Sequence, residues 1–186
     1  IAYLTRCFDS ENIVHVSGQI DPIHDIQVID TELMLADLES LEQNLSKAER
    51  HVRSHEKQAI ARRNFLKRIA NELGKGKRAG DVELAVDEIQ FMKEMPLLTA
   101  KPIMYLANVS EGELIKNPLL EKMQTYAKHI KTKIITVNAK LEADLAQLEN
   151  SERADFLSEL GLEKPSLPRV IQSAYHLLTL QTFYTT

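Results

Sequence analysis

Lys101–Glu111 reads KPIMYLANVSE: an apolar run from Ile103 to Ala107, opened by Pro102 and broken off by Asn108-Val109-Ser110-Glu111. A short apolar run bounded by turn residues predicts a buried strand. In open α/β sheets ligands sit just beyond the carboxyl ends of such strands. Asn108 and Glu111 therefore stand where the edge of a bound base would be read.

Two further runs predict strands: Ile1–Phe8 and Lys133–Val137, the latter ending in Asn138-Ala139-Lys140. Ile13–Val16 is a shorter apolar piece, and Leu180–Thr186 reads as a strand beginning. Helical spacing predicts helices from Asp81 over Val82–Met95, from Asn117-Pro118, and over Leu141–Leu148, Ser151–Leu160 and Pro168–Leu178. Ser151 offers a cap for the second-last of these, and Gly161 a stop. Strands that alternate with helices predict an α/β fold on a parallel sheet with crossover helices.

A long helical excursion interrupts this alternation. Asp21-Pro22 starts it, an N-cap acid before a first-turn proline, and neither glycine nor proline recurs until Gly74. Leu38, Leu45, Val52, Ala59, Leu66 and Leu73 keep one heptad position, while Leu41, Ala48 and Ile69 share a second. One helix of roughly 75 Å would satisfy the pattern. A hairpin folding near Arg53–Lys57 satisfies it better, because it buries both seams against each other. Gly74–Gly80 closes the excursion as a loop.

Composition limits the classes. The 186 residues are 44% hydrophobic with net charge −4, and no apolar run approaches a membrane span. The single cysteine, Cys7, excludes an internal disulfide, fits a reducing cytoplasm and sits in a core-like run. The chain opens and closes inside strand-like runs, which we read as the middle of a longer protein.

The chemistry of the strand end turns on which base fits. Guanine sites of the P-loop GTPase type use Asn-Lys-x-Asp, whose aspartate accepts from guanine N1–H and the 2-amino group. Here Val109 replaces the lysine and Glu111 the aspartate. Adenine offers a 6-amino donor and an N1 acceptor, which the backbone of Val109 could pair. A buried partner left unpaired costs about 1–3 kcal/mol, enough to set base preference. Read alone, Asn-Val-Ser-Glu could equally be a polar turn with a helix cap. Asn138 and Ala139, at the next strand end, add a second polar loop across the same crevice.

A second site is electrostatic. Lys47, Arg50, Arg53, Lys57, Arg62, Arg63, Lys67, Arg68, Lys75, Lys77 and Arg78 face only Glu49, Glu56 and Glu72 in that stretch. A solvated helical face is one reading. The other is a phosphate-binding surface for RNA or the ribosome through Arg53, Lys57, Arg62, Arg63, Lys67 and Arg68. Phe65 is the one phenylalanine, tyrosine or tryptophan among these cations, too few for a stacking platform, so base stacking and sequence-specific readout are not indicated. His51 and His55 have helical ligand spacing but no completing carboxylate or cysteine, so no metal site is assigned. No catalytic residue is assigned either.

Taken together, RCFDSENIVHVSGQIDP (Arg6–Pro22), TELMLADLESLE (Thr31–Glu42), LLTAKPIMYLANVSE (to Glu111), FLSELGL (Phe156–Leu162) and RVIQSAYHLLTLQTFYTT (Arg169–Thr186) resemble the YchF, or Obg-like ATPase, family. The resemblance implies the later half of a P-loop NTPase-type sheet with an inserted antiparallel coiled coil, followed by a TGS domain. On that pattern residues 1–30 and 81–180 are nucleotide-binding domain, 31–80 the coiled coil, and 181–186 the start of the TGS domain. The resemblance also implies a cytoplasmic, monomeric, ribosome-associated hydrolase of ATP with Mg²⁺, without membrane association. Adenine would lie on Asn108, Val109, Glu111, Asn138 and Ala139. P-loop, magnesium ligands and switch segments would lie upstream, leaving this stretch inactive by itself. Alternatives are an Obg-type GTPase and a non-catalytic helical RNA- or ribosome-binding module.

Overall fold

The computed structural model describes residues 1–9, 20–51, 57–110, 117–130, 132–162 and 164–184, the side chains of residues 50, 51 and 150 excepted. In chain order its elements are β1 (Ala2–Arg6), α1 (Pro22–His51), α2 (Lys57–Gly74), α3 (Glu88–Lys93), β2 (Met104–Asn108), α4 (Pro118–His129), β3 (Ile134–Val137), α5 (Ala139–Gln147), α6 (Asn150–Glu159) and α7 (Leu167–Leu177). They form two compact units, Ile1–Ile26 with Ile103–Thr186, and Gln27–Pro102.

The first unit holds a three-stranded parallel sheet in the order β1-β2-β3. Register pairs Arg6 with Asn108 and Asn108 with Val137, so the carboxyl ends of all three strands line up. Strand pleating puts alternate residues on opposite faces. Tyr3, Thr5 and Cys7, and Tyr105, Ala107 and Val109, are buried. The Tyr3 and Tyr105 rings meet edge-on with centroids 5.3 Å apart, and Tyr126 of α4 meets Tyr105 at 6.5 Å. β2 was expected to be buried throughout; instead Met104, Leu106 and Asn108 are half-buried, and Leu4 of β1 is 56% exposed.

Short polar side chains set the helix starts. The Asp21 carboxylate accepts from the Ile23 amide at 3.1 Å at the head of α1. Asn117 accepts from the Leu119 and Leu120 amides at 2.8 and 3.1 Å, and its own amide donates to the Cys7 carbonyl. One residue thus caps α4 and ties it to the end of β1. α6 is capped two residues before the expected Ser151: the Glu149 amide donates to the Glu152 carboxylate at 3.1 Å, one arm of a capping box. It ends as expected at Gly161, whose φ of +67° lets Gly161 N–H reach Ser158 and Leu162 N–H reach Leu157. Leu180–Tyr184, expected as a strand, forms none, since no neighbouring strand pairs with it among the described residues. The expected apolar piece Ile13–Val16 lies outside those residues.

In the second unit α1 folds back on α2. Lys67 and Glu49 are 3.0 Å apart, whereas a straight helix would separate them by roughly 27 Å. Leu41 packs with Phe65, Leu66, Ile69 and Leu73, and Leu38, Leu45 and Ala48 border them. The heptad seams therefore face each other; Val52 and the turn itself lie outside the described residues.

One expectation for this unit needs correction. The helix expected over Val82–Met95 is confined to Glu88–Lys93. The Arg68 guanidinium takes the Glu83 carbonyl at 3.2 Å, and the Glu88 carboxylate accepts the Ala85 amide at 2.9 Å, which holds this segment in a non-helical path. The compact helical unit runs on past residue 80 to Pro102. Val82, Phe91, Met95 and Leu97 belong to the core of the helical hairpin.

That return path is fastened by one buried acid. Asp37 is 2% exposed, and its carboxylate accepts from Leu98 N–H (2.7 Å), Thr99 N–H (2.8 Å) and Thr99 O–H (2.7 Å). Thr99 Oγ1 in turn accepts the Ala79 amide at 3.1 Å, and the Thr99 carbonyl accepts the Gly80 amide at 3.0 Å.

Candidate functional site

The carboxyl edge of the sheet gathers Asn108, Val109, Asn138 and Ala139. Sheet pairing continues past the strands, because Cys7 N–H donates to the Asn108 carbonyl at 2.7 Å and Val109 N–H to the Val137 carbonyl at 2.9 Å. The side-chain oxygen of Asn108 accepts the Ala139 amide at 3.0 Å. Asn108 therefore locks the loop after β2 to the loop after β3. Asn138 is buried and caps α5, accepting the Leu141 amide at 2.9 Å. Ala139 and Lys140 are exposed at the first turn of that helix.

This geometry changes how a base would be read. Val109 N–H is committed to Val137, so it cannot also donate to adenine N1; the Val109 carbonyl remains as an acceptor for a 6-amino group. Asn138 is engaged in capping, which makes it a scaffold for Ala139. Val109 is 1% exposed, so a lysine there would carry its charge into the core. Glu111 lies outside the described residues. The buried Cys7 beneath this edge is pushed up to about 11, by burial first, with Thr5 opposing and Asp25 adding to the shift.

A separate cavity of about 930 Å³ opens between α5, α6 and α7, lined by Leu145, Leu157, Leu162 and Ile171 with Glu142 and Arg153. None of the strand-end residues reaches it. It is an apolar space under the last helix, whose start is held by the Ser166 amide donating to Glu142 at 2.5 Å.

The cations of α2 divide into two sets. Arg62 pairs with Glu94 at 2.5 Å, and Arg68 pairs with Glu88 through two bonds of 3.3 and 2.5 Å. Both acids come from the α3 region. Lys67 pairs with Glu49 across the hairpin at 3.0 Å, and among the described residues Arg63 bonds its neighbour Asn64. Lys57 is exposed, and Arg53 lies outside the described residues. Gln90, then Arg62, hold the Glu94 carboxyl below its ordinary range. The linear charge count missed these partners because they lie 20 and 32 residues downstream of the arginines they meet.

A parallel sheet with two polar strand-end loops joined by one asparagine, interrupted by a helical unit, is an α/β arrangement that matches part of a P-loop GTPase. The structure of the YchF GTPase of Schizosaccharomyces pombe superposes with a TM-score of 0.81 at 25% identity, covering 95% of this chain and 49% of that one. The ribosome-binding ATPase YchF of Haemophilus ducreyi is 40% identical over 185 residues, all of this chain and 51% of the relative. Those of Escherichia coli O157:H7 and Bacillus subtilis are 38% and 37% identical over the same share. No family model matches the chain. The chain belongs to the YchF family and spans about half the length of the relatives it matches.

Proposed function

We propose that this chain supplies the base-recognition edge and the helical insert of a ribosome-associated, ATP-hydrolysing P-loop NTPase. The observation that carries it is the Asn108–Ala139 bond of 3.0 Å, which fixes the two strand-end loops as one surface. On this reading the Asn108 side-chain amide and the Val109 carbonyl face the base, with Ala139 flanking it. Glu111 in place of aspartate disfavours guanine, since the longer carboxylate misplaces the acceptors that its N1–H and 2-amino group need.

Ile1–Thr186 contains no G-x-x-x-x-G-K-[ST] run, so phosphate binding and hydrolysis belong to residues outside this stretch. Among the described residues no three carboxylate, histidine or cysteine groups converge. On this reading the Mg²⁺ ligands, like the phosphate cradle, come from residues outside Ile1–Thr186, and no step is assigned to the ion. Calorimetry of the intact protein with ATP and GTP tests the reading: ATP should bind more tightly, and equal or tighter GTP binding refutes it. The swap Glu111→Asp should narrow the difference.

A second role is phosphate contact by cations of α2 that have no acidic partner among the described residues, in the cytoplasm and on RNA or the ribosome. The supporting observation is that Lys57 and Arg63 have no acidic partner among the described residues. Reversing Lys57 and Arg63 to Glu should weaken RNA binding, most visibly at low salt, and leave ATP affinity intact. Unchanged RNA binding refutes this role.

A further inference from the structure

The segment Lys57–Arg68 carries Lys57, Arg62, Arg63, Lys67 and Arg68 and no acid. The segment Asp81–Glu94 carries Asp81, Glu83, Asp87, Glu88 and Glu94 with the single cation Lys93. These two stretches are complementary in charge, and they meet. Glu94 takes Arg62, while Glu88 and the Glu83 carbonyl take Arg68. The Arg62 guanidinium also lies 6.0 Å from the centre of the Phe91 ring.

We propose that α3 with its flanking acids is an acidic strap that occupies Arg62 and Arg68, so that strap contact and RNA contact at these arginines exclude each other. The inference rests on the reading of α2 as an RNA-binding face, and it names the regulation of that face. Several features make the strap exchangeable. Both arginines keep 39% of their side-chain surface exposed; Glu94 is equally open, while Glu88 keeps 19%, so the Arg62 pair sits in water and the Arg68 pair is partly covered. Pairs of this kind are weak and screened by salt. α3 is six residues long, preceded by a stretch in which Val86 is 89% exposed. An RNA strand offers each arginine a phosphate in place of a carboxylate and gains counterion release that the internal pairs do not. Linkage makes the effect reciprocal: whatever loosens the strap tightens RNA, and RNA loosens the strap.

The test compares the intact protein with its Glu88→Gln/Glu94→Gln form, binding an oligo(U) strand of about 20 nucleotides across a salt series. A control, Glu39→Gln/Glu42→Gln, removes the same charge from the exposed face of α1. The strap variant should bind about three- to tenfold more tightly than the control at low salt, the release of one exposed and one partly covered pair. Its salt slope should steepen by about 0.7 for each arginine that gains a phosphate. Adding Arg62→Gln/Arg68→Gln should abolish the gain. If strap and control variants bind alike, or if the gain survives loss of both arginines, the strap is refuted while the RNA-binding face stands. If no form binds the strand at low salt, the RNA-binding face itself is refuted, and the strap with it.

Discussion

Replacing Asp37 by Ala removes a carboxylate that three donors share. Its acceptors stand 2.7, 2.8 and 2.7 Å from Leu98 N–H, Thr99 N–H and Thr99 O–H, at a site 2% exposed. Both amides donate to this carboxylate, and a buried donor left unpaired costs about 1–3 kcal/mol. The Thr99 hydroxyl can rotate to another acceptor, so its share is smaller. The sum is about 3–5 kcal/mol, in the range seen when one member of a buried charged network is deleted. Asp37→Asn keeps one oxygen but turns an N–H₂ toward a donor, and should cost roughly half as much. Urea unfolding followed by circular dichroism reads the effect, with the midpoint falling by about 1–3 M for the alanine variant. Exposed Glu39, two residues along the helix, serves as control: Glu39→Ala should stay within about 0.5 kcal/mol of the parent. A midpoint for Asp37→Ala that matches the control would refute the assignment of this carboxylate as the clamp of the return segment.

Gly80→Ala would place a Cβ 3.1 Å from the Thr99 carbonyl oxygen, a backbone atom that would have to shift by a few tenths of an ångström. We expect a loss of about 1–3 kcal/mol, read by the same unfolding curves, and smaller than for Asp37→Ala. Asn108→Ala should separate the two strand-end loops and lower ATP affinity about tenfold in calorimetry of the intact protein, with Thr31→Ala as an inert comparison. Cys7 tests the sheet edge by pH. Its folded value of about 11 lies above the ordinary 9.0, because burial disfavours the thiolate. The unfolded chain therefore releases this proton first. The stabilisation is complete below pH 9.0 and is lost as pH rises toward about 11. Native protein should resist alkylation at pH 8 and become reactive as it unfolds, and rapid labelling of the native form would contradict the burial.

Much of the architecture follows from local chemistry. Apolar runs ended by Asn108 and Asn138 mark strands with polar ends, Asp21-Pro22 and Asn117-Pro118 mark helix starts, and Gly161 marks a stop. Each signal involves residues within a few positions of one another, where sequence spacing and spatial distance coincide. The hairpin, too, is legible, since only a fold-back joins the seams of Leu38, Leu45, Leu66 and Leu73.

What tertiary structure alone decided depends on partners far apart in the chain. Asp37 reads as one more polar position on an amphipathic helix until the fold places Leu98 and Thr99 against it. Arg62 and Arg68 read as free cations because their acids arrive from Glu94 and Glu88, after the chain has turned. The Val109 amide looks available for a base until β3 lies alongside and takes it. Sequence by itself determined where this protein is regular, where it turns and which loops could meet a nucleotide. Only the tertiary structure decided which charges and amides are already spent, because hydrogen bonds and ion pairs are allotted by distance in space, and sequence separation does not carry it.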